Sequence, residues 1–147
     1  MTTDNEKKRL HAELAAALPY LTTQQIAQVS PRFQRLNFSA GEIIIRQGDR
    51  ADRFYIVVNG RVEVWYKSSE KHDYQVAFCE AGEYFGETGL MKNSPRNSTI
   101  RATEEGDVEV LALGRDDFLG LVSDSQATEE EIAAEMARRL LNLSKYS

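Results

Sequence analysis

The stretch Phe54-Tyr55-Ile56-Val57-Val58-Asn59-Gly60-Arg61-Val62-Glu63-Val64-Trp65-Tyr66 decides the fold class of this chain. Two runs rich in β-branched and aromatic residues flank Asn59-Gly60, and this dipeptide is a strong signal for a tight hairpin because both residues tolerate a left-handed backbone. The second run alternates polar and apolar residues, as a strand with one buried face does. The sequence therefore predicts two antiparallel strands joined at Asn59-Gly60.

Short runs of the same texture lie on both sides of this stretch. The predicted strands are Leu36–Phe38, Glu42–Arg46, Arg53–Val58, Arg61–Lys67, Tyr74–Cys79 and Val108–Gly114. Turn-forming pairs such as Gly48-Asp49 and Ala81-Gly82 separate them, and the polar segment Lys67–Asp73 is predicted to be a surface loop. Several short strands in series indicate an antiparallel sandwich or jelly roll, because wrapping limits the exposed sheet edges.

Helices are predicted before this β region. Asp4 or Asn5 is expected to cap a helix that runs to about Ala17 and ends before Pro19. A second, short helix is expected from Thr22 or Thr23 to Val29.

Two more helices are predicted after the β region. The first begins at Asp116-Asp117 and runs to about Val122. Thr128 and Glu131 have the spacing of a capping box and predict the start of the last helix. Its apolar stripe consists of Ile132, Met136, Leu140 and Leu143. Such a stripe is expected both of a helix packed permanently on the β region and of a helix that moves as a lid, so both readings stay open.

These changes of texture divide the chain into three segments. Residues 1–31 form an N-terminal helical segment, residues 32–115 form the β region, and residues 116–147 form the C-terminal helices. With 147 residues and 41% hydrophobic content, one compact domain with short appendages is expected.

Composition and charge narrow the function classes. The formal net charge of −5 argues against binding to a nucleic-acid backbone, which requires clustered Lys and Arg. No apolar run approaches the roughly 20 residues of a membrane span, and the polar N-terminus lacks the pattern of a secretory signal. A cytoplasmic location is therefore expected. The single cysteine, Cys79, lies in a predicted strand and is expected to be a structural thiol.

The segment from Phe85 to Ala102 carries the candidate chemistry. Gly86 permits close backbone approach, the residues from Glu87 to Met91 can form a short helix with free N–H groups at its start, and Arg96 offers a planar cation with five donors. This combination predicts a site for one small phosphate. The alternative is that Arg96 is an ordinary surface arginine and that Glu87 only complements a helix dipole.

The chain resembles the cyclic nucleotide-binding domain of catabolite activator proteins, cyclic-nucleotide-regulated kinases and cyclic-nucleotide-gated channels. The resemblance covers Leu18 to Leu143 and rests on two sets of motifs. The first set is Gly41-Glu42-Ile43-Ile44, Gln47-Gly48-Asp49, Ala51-Asp52-Arg53-Phe54-Tyr55-Ile56-Val57 and Gly60. The second is Phe85-Gly86-Glu87, Leu90, Pro95-Arg96, Ser98-Thr99-Ile100 and Ala102, which follow the family's phosphate cassette without insertion or deletion.

The resemblance implies a fold and a set of ligand contacts. The fold is mainly β with flanking helices: an eight-stranded antiparallel β-roll, or jelly roll, with N-terminal helices, a cassette helix within 85–102, and C-terminal hinge and lid helices. It implies that Arg96 pairs with the exocyclic phosphate oxygens, that Glu87 accepts the ribose 2′-hydroxyl, and that Asn97 and Ser98 add phosphate contacts. The complete set of predicted ligand-binding residues is Phe85, Gly86, Glu87, Thr88, Arg96, Asn97 and Ser98, with no catalytic or metal-binding residue.

The function implied by the resemblance is a non-catalytic sensor of cAMP or cGMP. Ligand binding would draw the C-terminal helix over the nucleotide, with Arg138, Arg139 or Leu140 as candidates for the base contact. Binding of the ligand is expected to require no cofactor. The signal would pass to an effector protein or attached domain. That domain could lie on the cytosolic side of a larger membrane protein. The apolar stripes of the first and last helices also allow pairing into a homodimer.

Two residues depart from the family pattern. Gly89 replaces a small alanine or serine in many members and is expected to loosen the cassette helix. Asn97 occupies the position after the arginine, where a threonine favours guanine, and its amide can both donate and accept, so the base remains undecided.

Two other functions compete with the sensor. One is a structural or interaction module of the same fold whose pocket is unused. The other is a cupin-type enzyme, which needs clustered histidine ligands, whereas His11 lies in a predicted helix and His72 in a charged loop.

Overall fold

Two four-stranded antiparallel sheets form the centre of the fold and confirm the predicted eight-stranded β-roll with flanking helices. The computed structural model describes residues 3–146. The strands are β1 Gln34–Phe38, β2 Ile43–Ile45, β3 Arg53–Asn59, β4 Arg61–Lys67, β5 Asp73–Glu80, β6 Tyr84–Phe85, β7 Thr99–Ala102 and β8 Val108–Gly114. The helices are α1 Asp4–Ala17, α2 Thr23–Val29, α3 Glu87–Lys92, α4 Arg115–Asp124 and α5 Gln126–Ser144, with a 3-10 turn at Ser30–Arg32.

The two sheets have the strand orders β1-β8-β3-β6 and β2-β7-β4-β5. The residues of β3 alternate between two separate cores. Tyr55 and Val57 point into the core between the sheets, whereas Phe54 and Ile56 belong to a second core shared with the helices. Because both faces of β3 are covered, its sequence is continuously apolar. The sequence of β4 alternates, and Val62 and Val64 are its residues in the core between the sheets.

The prediction of a hairpin at Asn59-Gly60 is wrong. β3 pairs with β6 and β8, and β4 pairs with β5 and β7, so the chain passes from one sheet to the other at this point. Gly60 makes that corner with φ +89°, and a Cβ atom there would lie 2.6 Å from the carbonyl oxygen of Asp107. The left-handed corner was correctly predicted, but local sequence does not say which strands occupy the neighbouring edges.

Two of the predicted helix caps are wrong. Thr3, and not Asp4 or Asn5, caps α1: its hydroxyl accepts from the main-chain N–H of Glu6, whose carboxylate accepts from the N–H of Thr3. Ser125, and not Thr128, caps α5, and the Thr128 side chain lies buried against it. The α5 start therefore lies three residues earlier than predicted.

Aromatic residues of the β region such as Phe54, Tyr55, Trp65 and Phe85 are predicted from the sequence to belong to the core rather than to stack on a base. Phe54, Tyr55 and Phe85 are buried there. Trp65 is the exception. It is only half-buried, and the guanidinium of Arg101 lies over its ring at 5.4 Å from the centroid.

Among residues 3–146, no helix is both long enough and apolar enough to cross a lipid bilayer.

The two ends of α5 are held differently. Ile132, near its start, is completely buried in the core shared with the helices. Leu141, near its end, is 68% exposed. The packing therefore anchors the first half of α5 by apolar burial. Among the described residues, the second half contains no fully buried apolar side chain, and its main polar contacts are described below.

This difference predicts opposite outcomes for two truncations in one helix. Ile132→Ala should lower the free energy of unfolding by about 2 to 5 kcal/mol, because it empties a packed core position. Leu141→Ala is the matched control and should change it by less than about 0.5 kcal/mol. Urea denaturation measures both, and equal losses would contradict the anchoring of α5 through its first half.

Candidate functional site

A glycine turn between β6 and α3 forms the centre of the candidate site. Gly86 adopts φ +86° and precedes the first residue of α3, Glu87. A Cβ atom at position 86 would lie 3.1 Å from Nη1 of Arg96 and 3.2 Å from the carbonyl oxygen of Arg53. Glycine is therefore needed both for the backbone conformation and for the close approach of the arginine.

The Arg96 side chain lies beneath this turn and is only 6% exposed. Its Nη1 donates to the carbonyl oxygen of Gly86 at 2.7 Å, and its Nη2 donates to that of Arg53 at 2.6 Å. Nη2 also pairs with Oδ1 of Asp52 at 3.5 Å. Burial lowers the pKa of Arg96, against the opposing effect of Tyr55 and Asp52. The guanidinium stays charged because an arginine pKa lies so far above neutrality.

These contacts use part of the guanidinium only. Within residues 3–146, the hydrogen bonds of Arg96 involve Nη1 and Nη2, and none involves Nε. A guanidinium has five N–H donors in a fixed plane. The arginine is thus held in place by the protein and retains donors for a ligand.

Glu87 is buried and paired with a residue of α5. Its side chain is 3% exposed, and its Oε1 accepts from Nη1 of Arg139 at 2.6 Å. Arg139 also donates from Nη2 to the carbonyl oxygen of Tyr84 at 2.7 Å and pairs through Nε with Glu135 at 3.0 Å. Burial lowers the pKa of Arg139, but the attraction of Glu87 and Cys79 outweighs it, so the net shift is upward.

A cavity of about 410 Å³ is lined by both Arg96 and Glu87. All seven residues predicted from the sequence as ligand contacts line it: Phe85, Gly86, Glu87, Thr88, Arg96, Asn97 and Ser98. Ser98 is buried and its hydroxyl donates to Oδ1 of Asn97 at 3.2 Å. The structure therefore brings the predicted residues together around one space, which leaves their role in binding to be tested.

The remaining walls come from apolar residues of the sheets, which were not among the predicted ligand contacts, and from the C-terminal helix, which contains two of the three predicted candidates for the base contact. Apolar walls come from β2, β4, β5 and β7, through Ile45, Val64, Val76 and Ile100. The C-terminal wall consists of Glu135, Arg138, Arg139, Leu141, Asn142 and Leu143 of α5 and of Lys145 just beyond it. Of the three candidates for the base contact, Arg138 and Arg139 line the cavity and Leu140 does not. Glu135, Arg139 and Asn142 recur at the spacing of one helix face. In the sequence, the spacing of these polar residues is the pattern that indicates which face of α5 lines the cavity.

The far end of α5 also contacts the edge strand β5. Nδ2 of Asn142 donates to the carbonyl oxygen of Val76 at 3.1 Å, and the rings of Tyr146 and Tyr74 lie 5.1 Å apart. The second half of α5 is thus held over the cavity by hydrogen bonds, an ion pair and one aromatic contact.

Cys79 forms part of the cavity wall and is buried. Burial raises the pKa of its thiol to about 11, although the nearby Arg139 acts in the opposite direction. A thiol with this pKa is protonated and unreactive at neutral pH, in agreement with the expected structural role.

Gly89 has a different role from the one expected. A Cβ atom at this position would lie 2.6 Å from Cβ of Ala51 and 2.9 Å from the carbonyl oxygen of Ser94. The glycine therefore allows α3 to pack closely against the loop before β3, and this close packing explains why a larger residue is absent.

Comparison with known proteins gives a family match. The model of the family described as "Cyclic nucleotide-binding domain" matches residues 35–125, which include both the cassette and most of the β-roll. The match ends at the start of α5, so it covers Glu87 and Arg96 but not Arg139.

Three known proteins illustrate this similarity. The chain is 32% identical over 120 residues to a cAMP-dependent protein kinase regulatory subunit of Emericella nidulans, covering 80% of this chain and 28% of the relative. It is also 32% identical over 120 residues to the Cyclic AMP receptor protein of Thermus thermophilus, covering 82% of this chain and 55% of the relative. The regulatory domain of Toxoplasma gondii PKA, solved with cAMP, superposes with a TM-score of 0.77 at 24% identity, covering 88% of this chain and 49% of that chain. The chain therefore spans about half or less of the length of these proteins.

The packing of Gly89 predicts the effect of adding one methyl group. Gly89→Ala should lower the free energy of unfolding by about 1 to 3 kcal/mol, because the overpacking against Ala51 outweighs the gain in helix propensity. Gly120→Ala is the control, since the space around Gly120 in α4 is open and alanine favours a helix. Thermal unfolding of both variants measures the difference, and a stabilised Gly89→Ala protein would contradict the close packing.

Proposed function

The chain belongs to the family of cyclic nucleotide-binding domains, and on this premise we propose that it is a non-catalytic sensor that binds cAMP or cGMP in the cavity between Arg96 and Glu87. The observation that carries the proposal is the placement of a buried cation and a buried carboxylate on either side of one glycine turn, facing one cavity. A cyclic nucleotide offers the matching pair of groups: a singly charged phosphate and a ribose hydroxyl.

Arg96 is proposed to bind the phosphate. Its guanidinium is already fixed by the carbonyl oxygens of Gly86 and Arg53, so little rotational freedom is lost when an anion binds. Asp52, at 3.5 Å, compensates part of its positive charge. This arrangement favours a singly charged phosphodiester over a more highly charged phosphate. Asn97 and Ser98 line the same space and are proposed to add hydrogen bonds.

Glu87 is proposed to bind the ribose hydroxyl. Arg139 occupies its Oε1, so the carboxylate is held in one orientation. Within residues 3–146, no hydrogen bond involves Oε2, which is therefore proposed to be the acceptor for the hydroxyl. The Arg139 guanidinium also lies directly against this buried carboxylate and compensates its charge.

The two halves of α5 suggest how binding becomes a signal. The first half is anchored in the core, and the second half is attached over the cavity through Arg139 and Asn142. We propose that residues 116–147 act as hinge and lid, and that ligand binding changes the equilibrium between attached and detached forms of the second half of α5. An effector protein or attached domain would read this change. A homodimer and a cytoplasmic location also stay predictions.

A module with an unused cavity is the second candidate, and one observation favours it: both Arg96 and Glu87 already have partners within the protein. The cavity between them and the unengaged Nε of Arg96 favour binding instead. A thermal shift with each nucleotide separates the candidates, since a ligand of the folded state raises the melting temperature.

The metal requirement of the cupin alternative can also be compared with the structure. Among the described residues, no three His, Cys, Asp or Glu side chains are grouped so that they could hold a metal ion. We propose on this basis, and on the family's regulatory members, that the domain itself is not an enzyme.

The first functional prediction concerns Arg96. Arg96→Lys keeps the charge but loses the planar fork, and it should weaken binding of the preferred cyclic nucleotide by at least about tenfold. Arg50→Lys, on the exposed part of the loop before β3, is the control and should leave the dissociation constant unchanged. Calorimetric titration with cAMP and cGMP in parallel measures both effects and the base preference. Unchanged affinity of a folded Arg96→Lys protein would refute the role of Arg96.

The second prediction concerns the lid. Arg139→Ala removes the partner of Glu87 and should accelerate amide hydrogen exchange in residues 139–144 while residues 128–132 stay protected. Arg138→Ala is the control, because the Arg138 side chain is 72% exposed and its ion pair within residues 3–146 is with Glu135 of its own helix. A uniform change along α5 would show that the helix moves as one unit, against the proposed hinge.

A further inference from the structure

The side chain of Gln47, which follows β2, contacts β4, the strand two positions away from β2 in the sheet. It lies just beyond the end of β2 and is half-buried. Its side-chain Nε2 donates to the carbonyl oxygen of Lys67 at 2.9 Å, and its Oε1 accepts from the N–H of Lys67 at 2.8 Å. One side-chain amide therefore satisfies both main-chain groups of the last residue of β4.

The register of the sheet explains why Lys67 needs this partner. β4 pairs with β7, and the last pair is Trp65 with Thr99. Continuing the register by two residues would place Lys67 opposite Asn97. Asn97 and Ser98 instead line the cavity and take no part in this ladder. The Gln47 amide thus occupies the place that the Asn97 peptide group would have in an uninterrupted β7.

The main chain next to Gln47 also fixes Arg96. The N–H of Gly48 donates to the carbonyl oxygen of Arg96 at 2.8 Å, and the N–H of Arg96 donates to that of Asp49 at 2.8 Å. The N–H of Gln47 itself donates to Oγ1 of Thr99 at 3.0 Å. Residues on both sides of Asn97 and Ser98 are therefore tied to the segment 47–49.

From this arrangement we propose that Gln47 is a positioning residue for the phosphate site. By replacing the missing ladder partner of Lys67, it allows residues 96–98 to leave the sheet and face the cavity, and it holds the 47–49 segment that fixes the Arg96 main chain. Without the amide, the main-chain groups of Lys67 would be free to pair with Asn97, and this pairing would compete with the ligand-binding conformation. The inference rests on the proposed function, because the gain from this geometry is an ordered anion site.

The test uses Gln47→Ala, with Gln24→Ala on the exposed face of α2 as the matched control. Gln47→Ala should weaken cyclic nucleotide binding about tenfold in calorimetry, as expected when a supporting contact of a binding group is lost. Gln47→Glu keeps the acceptor for the Lys67 N–H but loses the donor, so it should give an intermediate loss. Gln24→Ala should bind as the unaltered chain does.

A double-mutant cycle separates positioning from general stability. In the Arg96→Lys protein, Gln47→Ala should weaken binding by less than about twofold, because the contact that it positions is already lost. Equal losses in both backgrounds would show that Gln47 acts independently of Arg96 and would overturn the inference.

A second readout does not require a ligand. The amide of Arg96, which donates to Asp49, should exchange faster with solvent in Gln47→Ala than in the unaltered chain, while Ile132 in α5 stays protected. Unchanged exchange at Arg96 would overturn the positioning role. If the unaltered chain binds neither cAMP nor cGMP, the proposed function fails, and this exchange measurement still decides the inference.

Discussion

Two ionised groups buried beside one glycine govern the design of this domain. Transfer of a charge from water into a protein is costly unless other groups replace its solvation. Arg96 meets this requirement through two carbonyl oxygens and Asp52, and Glu87 meets it through Arg139. The Arg96 contacts come from within the β-roll. The Glu87 contact comes from α5, so the solvation of this carboxylate depends on where the helix lies.

The β-roll supplies the rigid frame that these charges need. The interior strand β3 is buried on both faces, with one core between the sheets and another beneath the helices. The carbonyl oxygen of Arg53, at its first residue, is thereby fixed and can accept from Arg96. The chain departs from regular pairing at the start of β7, where residues next to the cavity leave the ladder. Regular structure thus surrounds an irregular segment and determines its position.

Local sequence signals were sufficient for the fold class, and the resemblance of the cassette to the family pattern was sufficient for the grouping of the seven site residues. Strand texture, left-handed turn glycines and the cassette spacing are all visible within short windows. Pairing partners are not: Asn59-Gly60 marks a real turn, yet its flanking strands lie in different sheets. Gly89 appeared to be a weak helix residue because its neighbour Ala51 is distant in sequence. Arg139 was one of several candidates for the same reason, since its partner Glu87 lies on another element.

The two halves of α5, the proposed lid, are attached to the domain by different kinds of contact. Ile132 fixes the start of α5 by burial, which does not depend on ligand or charge. The end of the helix is held by Arg139 and Asn142, through contacts made to the same walls that line the cavity. A molecule that enters this space must change the surroundings of Glu87, and hence the free energy of the Arg139 contact. Because a ligand shifts an equilibrium only through its different affinity for two states, this shared carboxylate is where, in the proposed sensor, the binding free energy of a nucleotide would be coupled to the position of the helix.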